Sequence, residues 1–303
     1  MTKWMLAFAT VLSFAQGCNG GDDDGDVVDT DTHQFSVDGE CGYDDRVGLF
    51  EISHHEIYSA VSGNVRDSVN PTEMPHPKES NDNCILLEKI YPQCTPACEP
   101  GFTCDTDGEC IPFPSTLDMG TITVTGLLAD LEIDPNSVGD YSDTSVSHPP
   151  FEDGSEISLI VPGGDGVDLF ILNGYGMEVL ETPGDEWLIE RDETTLEVTD
   201  DLTINWTPSS GEARILVTLN IDQHGNSPIT MRCLFDDTGT AVIPKDFLQI
   251  FNEYPVSGAG NGNIYRITYD SVQTVNGCVE LQVFSKVHEN LTAEHQDETE
   301  PPP

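Results

Sequence analysis

The sequence predicts a mostly β chain, an antiparallel β-sandwich preceded by a small disulfide-stapled Cys-rich region. Three observations lead there. Apolar residues recur with period two through the C-terminal half, 27 Gly and 20 Pro supply frequent turns, and six of the nine Cys fall between positions 41 and 110. With 37% hydrophobic residues in 303, the chain is too apolar for wholesale disorder.

Residues 1–17 read as an export signal. One early cation, Lys3, precedes an apolar run from Trp4 to Ala15, and the small residue Gly17 stands just before Cys18. The run is shorter than the ~20 residues of a spanning helix, and no later segment approaches that length. Ala15-Gln16-Gly17-Cys18 resembles a bacterial lipobox, in which the Cys is acylated and becomes the mature N-terminus. Cysteine arithmetic agrees with lipidation of Cys18, because removing it from nine leaves eight, enough for four disulfides in an oxidising compartment.

Residues 18–40 form an acidic tract that includes Gly20-Gly21-Asp22-Asp23-Asp24-Gly25-Asp26. Its like charges repel and its few apolar groups cannot drive collapse, so a disordered tether is expected. Calcium is the sharper reading of so many Asp. No window fits the twelve-residue loop, since Gly25 or Gly108 at position six puts Gly20 or Thr103 at position one, where a carboxylate is needed. No cofactor is therefore expected.

Residues 41–90 alternate apolar and polar side chains around 47–52 and 58–65, which predicts a small stapled sheet, with Pro71 to Pro77 as an irregular loop. His54-His55-Glu56 invites a metal reading. There is no second His four residues after His55, and adjacent residues of a strand point to opposite faces, so no metal site is expected there. Residues 91–114 hold Cys94, Cys98, Cys104 and Cys110 within seventeen residues that also carry two Pro and two Gly. Such a segment cannot bury a core, so two disulfides are expected to hold it. Zinc competes, but spacings of three, five and five are not those of paired knuckles. Four Cys allow three connectivities.

Residues 115–290 carry the sandwich. Ile122 and Val124 alternate with Thr, Ile157, Leu159 and Val161 share a face, and Leu202, Ile204 and Trp206 share another. Ala213, Ile215, Val217, Leu219 and Ile221 make the longest period-two run, and Ile229, Met231, Cys233 and Phe235 follow a turn to give a hairpin. Tyr265, Ile267 and Tyr269, then Val279, Leu281 and Val283, supply two closing strands. One short packing helix is expected after Pro244, with Phe247, Leu248, Ile250 and Phe251 as its stripe. A closed barrel is the main alternative architecture. Cys233 and Cys278 are paired with each other as the two Cys of this region, and Cys41 and Cys84 are left to close theirs. Residues 291–303 are acidic, end in three Pro, and are expected to be disordered.

Chemistry is sparse. No Gly-x-Ser-x-Gly elbow and no phosphate loop ending in Lys-Ser/Thr occurs, and Gly163-Gly164-Asp165-Gly166 reads as a hairpin turn. Asp222-Gln223-His224 reads as loop residues beside a Gly-Asn turn. No catalytic residue is assigned. Trp187, after Gly184-Asp185-Glu186, is the candidate ligand surface, whereas Trp206 belongs to a core face. The net charge of -44, with no Lys or Arg between Lys89 and Arg191, argues against nucleic acid as a partner.

The lipobox, the Asp-rich tether, the four-Cys segment, and the run 202–208 through Cys233, Asp237-Thr238-Gly239 and Ile243-Pro244 resemble acidic, cysteine-rich surface lipoproteins of myxobacteria and their relatives. That resemblance implies envelope anchoring and a β-rich ectodomain, and names no substrate. The four-Cys segment resembles small epidermal-growth-factor-like knots, which implies the interleaved pairing of Cys94 with Cys104 and Cys98 with Cys110. The expectation is a non-enzymatic lipoprotein of the bacterial cell envelope, held at the membrane through its lipid and binding an envelope protein or glycan. A carboxylate-dependent hydrolase and a solvating surface protein are the competing classes.

Overall fold

A computed structural model describes residues 39–180, 197–209, 211, 213–223, 226–254 and 261–290. The leader, Cys18, residues 19–38 of the tether, Trp187 and the tail lie outside the described residues, while the last two tether residues, Gly39 and Glu40, are ordered against Glu280. The N-terminal strands are β1 (Arg46–His54), β2 (Ser59–Val65), β3 (Pro75–Ser80), β4 (Cys84–Lys89), β5 (Phe102–Cys104) and β6 (Cys110–Pro112). There follow β7 (Ile122–Thr125), β8 (Leu131–Ile133), β9 (Tyr141–Asp143), β10 (Glu156–Val161), β11 (Phe170–Tyr175) and β12 (Leu202–Asn205). The C-terminal elements are β13 (Arg214–Gln223), β14 (Asn226–Asp236), β15 (Thr240–Ile243), α1 (Lys245–Asn252), β16 (Asn261–Gln273) and β17 (Cys278–Asn290).

The chain is mostly β and forms a sandwich with one long layer and one split layer. The long layer is a nine-stranded sheet in the order β3-β4-β14-β13-β16-β17-β1-β2-β9. Its pairs are antiparallel except β1 with β17, which run parallel, a departure from the all-antiparallel expectation. The second layer is the sheet β11-β10-β7-β8 over one end and the ribbon β12-β15 with α1 over the other.

Period two explains both interfaces. Ile215, Val217 and Leu219 of β13 point to the same side as Met231 and Cys233 of β14 and Leu86 of β4, and bury against Leu202, Ile204, Ile243, Phe247 and Phe251. At the other end, Phe50 and Ile52 of β1 and Val279, Leu281 and Val283 of β17 meet Val124, Ile157, Leu159 and Leu172. Pro244 occupies the N-cap of α1, where no intrahelical donor is lost, and Phe247, Leu248 and Phe251 face the core.

A polar network separates the two cores. Arg266 and Asp237 form a buried ion pair with Nε to Oδ2 at 2.8 Å. The guanidinium also donates to the carbonyls of Thr207 and Glu178, at 2.6 and 3.3 Å, while Asp237 accepts from Trp206 Nε1 at 2.6 Å and Ser209 N at 3.1 Å. Both charges are thus hydrogen-bonded as well as paired, which burial requires. The network ties the end of β12 and the β14–β15 turn to the central strand β16. Trp206, read as a core residue, is buried here.

Three sequence expectations are corrected. The segment 41–90 is not a separate small sheet, because β1 pairs with β17 and β4 pairs with β14. The pairings Cys41–Cys84 and Cys233–Cys278 are replaced by Cys41–Cys278 and Cys84–Cys233. The cause is the strand order: Cys84 sits directly opposite Cys233, and Arg46, five residues after Cys41, sits opposite Cys278. Finally, the expected irregular loop at 71–77 gives way at Pro75 to β3, which tolerates two Pro because it is an edge strand with one side unpaired. In the Cys-rich hairpin β5–β6 the bridges are Cys94–Cys104 and Cys98–Cys110.

Removing one member of the buried pair should therefore be costly. Arg266→Met is expected to lower the unfolding free energy by about 3–5 kcal/mol in urea titration, whereas Asp236→Asn, which breaks the exposed pair with Arg214, should change it by about 1 kcal/mol or less. Equal small effects would show that the network does not hold the layers together.

Candidate functional site

The face of the long sheet turned away from the second layer is concave. In a flat sheet β14 and β1 would stand four strand spacings apart, about 19 Å. Instead Arg232 of β14 donates to the hydroxyl of Tyr43, three residues before β1, at 2.9 Å. The sheet has curled until its two flanks face each other, part-way to the barrel that the strand pattern left open. Leu216, Leu234, Ile267 and Phe284 line the floor of the curl, with Tyr265 and Tyr269 packed on them.

The N-terminal segment closes this curl. Glu280 on β17 is completely buried, and its Oε2 accepts from the backbone N–H of Glu40 and Cys41 at 2.7 and 3.0 Å. Its Oε1 accepts from Gln282 at 2.6 Å and lies 3.5 Å from Arg46. Gly39 is required there, since a Cβ on it would overlap the Glu280 carboxylate and its φ of +99° is left-handed. The carboxylate and the Cys41–Cys278 bridge together pin the entry to β1 beside β17.

Between the flanks opens a cavity of about 410 Å³, within the range of small-molecule sites. Arg46 of β1, Arg66 just after β2, Lys89 of β4 and Arg232 of β14 line it. Leu49, Val69, Met74 and Leu87 give it apolar walls. Arg66 is bidentate to Glu73 across the β2–β3 connection, which fixes the rim. Arg46 stacks over the Tyr43 ring at 5.2 Å, so Tyr43 holds one arginine by its face and another by its hydroxyl.

Electrostatics follow from burial. Desolvation raises the pKa of Glu51, on the concave face of β1, against the opposing pull of Lys286, Arg232 and Arg46. Desolvation pushes Tyr269 up to about 12, and Arg232 partly offsets it. His55 is depressed to about 4, first by burial and then by Lys286 and His54. Its ring stacks on Tyr58 at 4.1 Å and meets the edge of Phe284.

The residues that the sequence singles out fall in separate places. His54 turns to the face opposite His55, against Phe151 and His148, so the two adjacent rings part as strand geometry requires. Ser285 is near His54 but fully buried, and its hydroxyl donates to the Met177 carbonyl, which leaves no exposed nucleophile at that pair. The sulfurs of Cys94, Cys98 and Cys110 lie within 4.8 Å of one another, yet each is in a disulfide and supplies no thiolate for a metal. Gly163 to Gly166 lie in the β10–β11 connection, closed by the Gly164–Val167 bridge. Trp187 and His224 lie outside the described residues. The four-cation cavity escapes a reading of the sequence because its residues span 46 to 232 with no motif. The signal was scarcity: with eleven Lys and Arg against 55 acids, the position of each cation carries information.

No family model matches the chain, and no curated protein matches it. Among solved structures it is similar to the FN1–FN3 domains of chicken CNTN1, with a TM-score of 0.19 and 11% identity over 71% of this chain. The match spans 66% of that fragment, just under two thirds. A "putative carbohydrate binding protein" from Bacteroides uniformis ATCC 8492 is similar at a TM-score of 0.19 and 10% identity, over 58% of this chain and 92% of that one. At those scores neither assigns a function to this chain.

The lowered His55 pKa makes stability pH-dependent. A folded-state value below the ordinary 6.5 contributes stability that is complete above about 6.5 and lost as pH falls toward about 4. Melting temperature measured from pH 7 to 4 should fall more steeply for the wild type than for His55→Gln, and parallel curves would contradict the half-buried neutral imidazole.

Proposed function

We propose that this chain is a non-enzymatic envelope lipoprotein: an exported β-sandwich ectodomain, held at a bacterial membrane by lipid on Cys18, that binds an envelope protein or a glycan. The observation that carries the anchor is the disulfide set. Eight of the nine Cys pair among themselves, two of the pairs joining distant parts of the chain, so none is left within the chain for Cys18. Four disulfides belong to an oxidising compartment, and an exported chain ordinarily gives its odd Cys a partner or a modification. No described helix is long and apolar enough to cross a membrane.

Binding is supported by the cavity in the concave face, whose polar side chains are held by partners before any ligand arrives. Preorganisation of that kind serves recognition, because little ordering remains to be done when the ligand docks. The disulfides and the buried networks behind the cavity supply the rigid scaffold.

In a bacterial host the wild type is expected in the membrane fraction with a lipid mass increment on a chain beginning at Cys18, and Cys18→Ala in the soluble fraction. Unchanged fractionation of the variant would contradict the anchor.

A further inference from the structure

We infer that the cavity between the flanks of the curled sheet takes a ring-sized organic anion, a sugar acid or a sugar phosphate; this deepens the binding reading above and rests on it. The first observation is charge placement. The chain carries a net charge of -44 and only eleven Lys and Arg, yet four of those eleven line this one cavity, coming from four separated parts of the chain. Glu73 is the single carboxylate among the lining residues and pairs with Arg66, and Glu280 lies 3.5 Å from Arg46, so cations still outnumber carboxylates around the space.

Neutralisation of buried carboxylates does not account for all of them. Glu280 engages Arg46, and Glu51 lies in the field of Arg46, Arg232 and Lys286. Arg66 and Lys89 answer to neither. Arg66 follows β2 and binds Glu73, a carboxylate itself more than half exposed, while the Lys89 ammonium lies at the end of β4, 5.3 Å from the Tyr91 ring centre. The chain thus brings two further cations to a rim where its own buried charges do not call for them.

Ligand class follows from the geometry. Guanidinium groups offer planar donor forks that match carboxylate and phosphate oxygens, and the ammonium of Lys89 adds a point charge at the rim. The walls from Leu49, Val69, Met74 and Leu87 suit the less polar faces of a ring, and about 410 Å³ holds a small ring compound rather than a polymer groove. Tyr43 fixes Arg46 and Arg232 in place, so the anion meets cations already oriented. A generally acidic surface also makes the cavity selective by contrast, because screening confines the repulsion of distant acids to roughly 8 Å at physiological salt.

The test is calorimetric titration of the intact purified protein with glucuronate, glucose 6-phosphate and glucose at millimolar concentrations. Either anion should bind, with glucose at least about tenfold weaker, and the stronger of the two identifies the acid group. The double variant Arg66→Gln/Lys89→Gln should lose about tenfold in affinity, and Lys89→Gln alone, an exposed change that leaves the fold intact, about threefold. Lys245→Gln, on α1 away from the cavity, should bind as the wild type does. Glucose binding as tightly as the anions, or anion affinity unchanged in both cavity variants, overturns the inference while leaving the envelope reading standing. Absence of binding by all three probes overturns the inference as well; failure of the envelope reading shows separately, in the fractionation of Cys18→Ala.

Discussion

The fold depends on one constraint: a single short stretch, residues 46–89, supplies strands to both flanks of the long sheet. β1 and β2 add to β17 at one side, and β3 and β4 add to β14 at the other. Residues 66–74 must then join strands that a flat sheet would hold seven spacings apart, about 34 Å, which is near the full reach of that many residues. The sheet answers by curling, and the curl makes the cavity. Arg46 and Arg66 from one flank and Lys89 and Arg232 from the other converge because the same short segment ties the flanks together.

Two covalent links and two buried networks keep that arrangement. Cys41–Cys278 and Cys84–Cys233 span 237 and 149 residues of sequence, against 10 and 12 for the bridges of the Cys-rich hairpin. In the chain-entropy account long closures restrict the unfolded chain most, on the order of 5 kcal/mol for a loop of this size taken alone. Glu280 holds the entry of β1 on the concave side, and Arg266 with Asp237 holds the split second layer on the convex side. Each buried charge is surrounded by donors or acceptors, so neither network leaves the desolvation cost uncompensated. The central strands β16 and β17 consequently carry both polar and apolar side chains on each face.

Much of the β pattern was legible in the chain. Ile215, Val217 and Leu219 announced their strand by alternation, Pro244 announced the helix, and Trp206 was placed in the core from its neighbours Leu202 and Ile204. What alternation cannot convey is which strand lies beside which. Pairing Cys41 with Cys84 and Cys233 with Cys278 followed proximity in sequence, and the sheet order overruled it. β3 was hidden by its prolines, because an edge strand tolerates residues that an interior strand excludes. On β16, Tyr265, Ile267 and Tyr269 face the concavity while Ile264, Arg266 and Thr268 face the second layer, so both faces are covered and period two loses its contrast. The site shared that fate, since four cations on four segments have no spacing to detect.

The most direct test of this account is the disulfide map of the native protein, read by non-reducing proteolysis and mass spectrometry. Linked peptides joining Cys41 to Cys278 and Cys84 to Cys233 are the predicted result, because only the interleaved sheet brings those pairs together. Peptides joining Cys41 to Cys84 and Cys233 to Cys278 would separate the N-terminal strands from the sheet and remove the cavity with them.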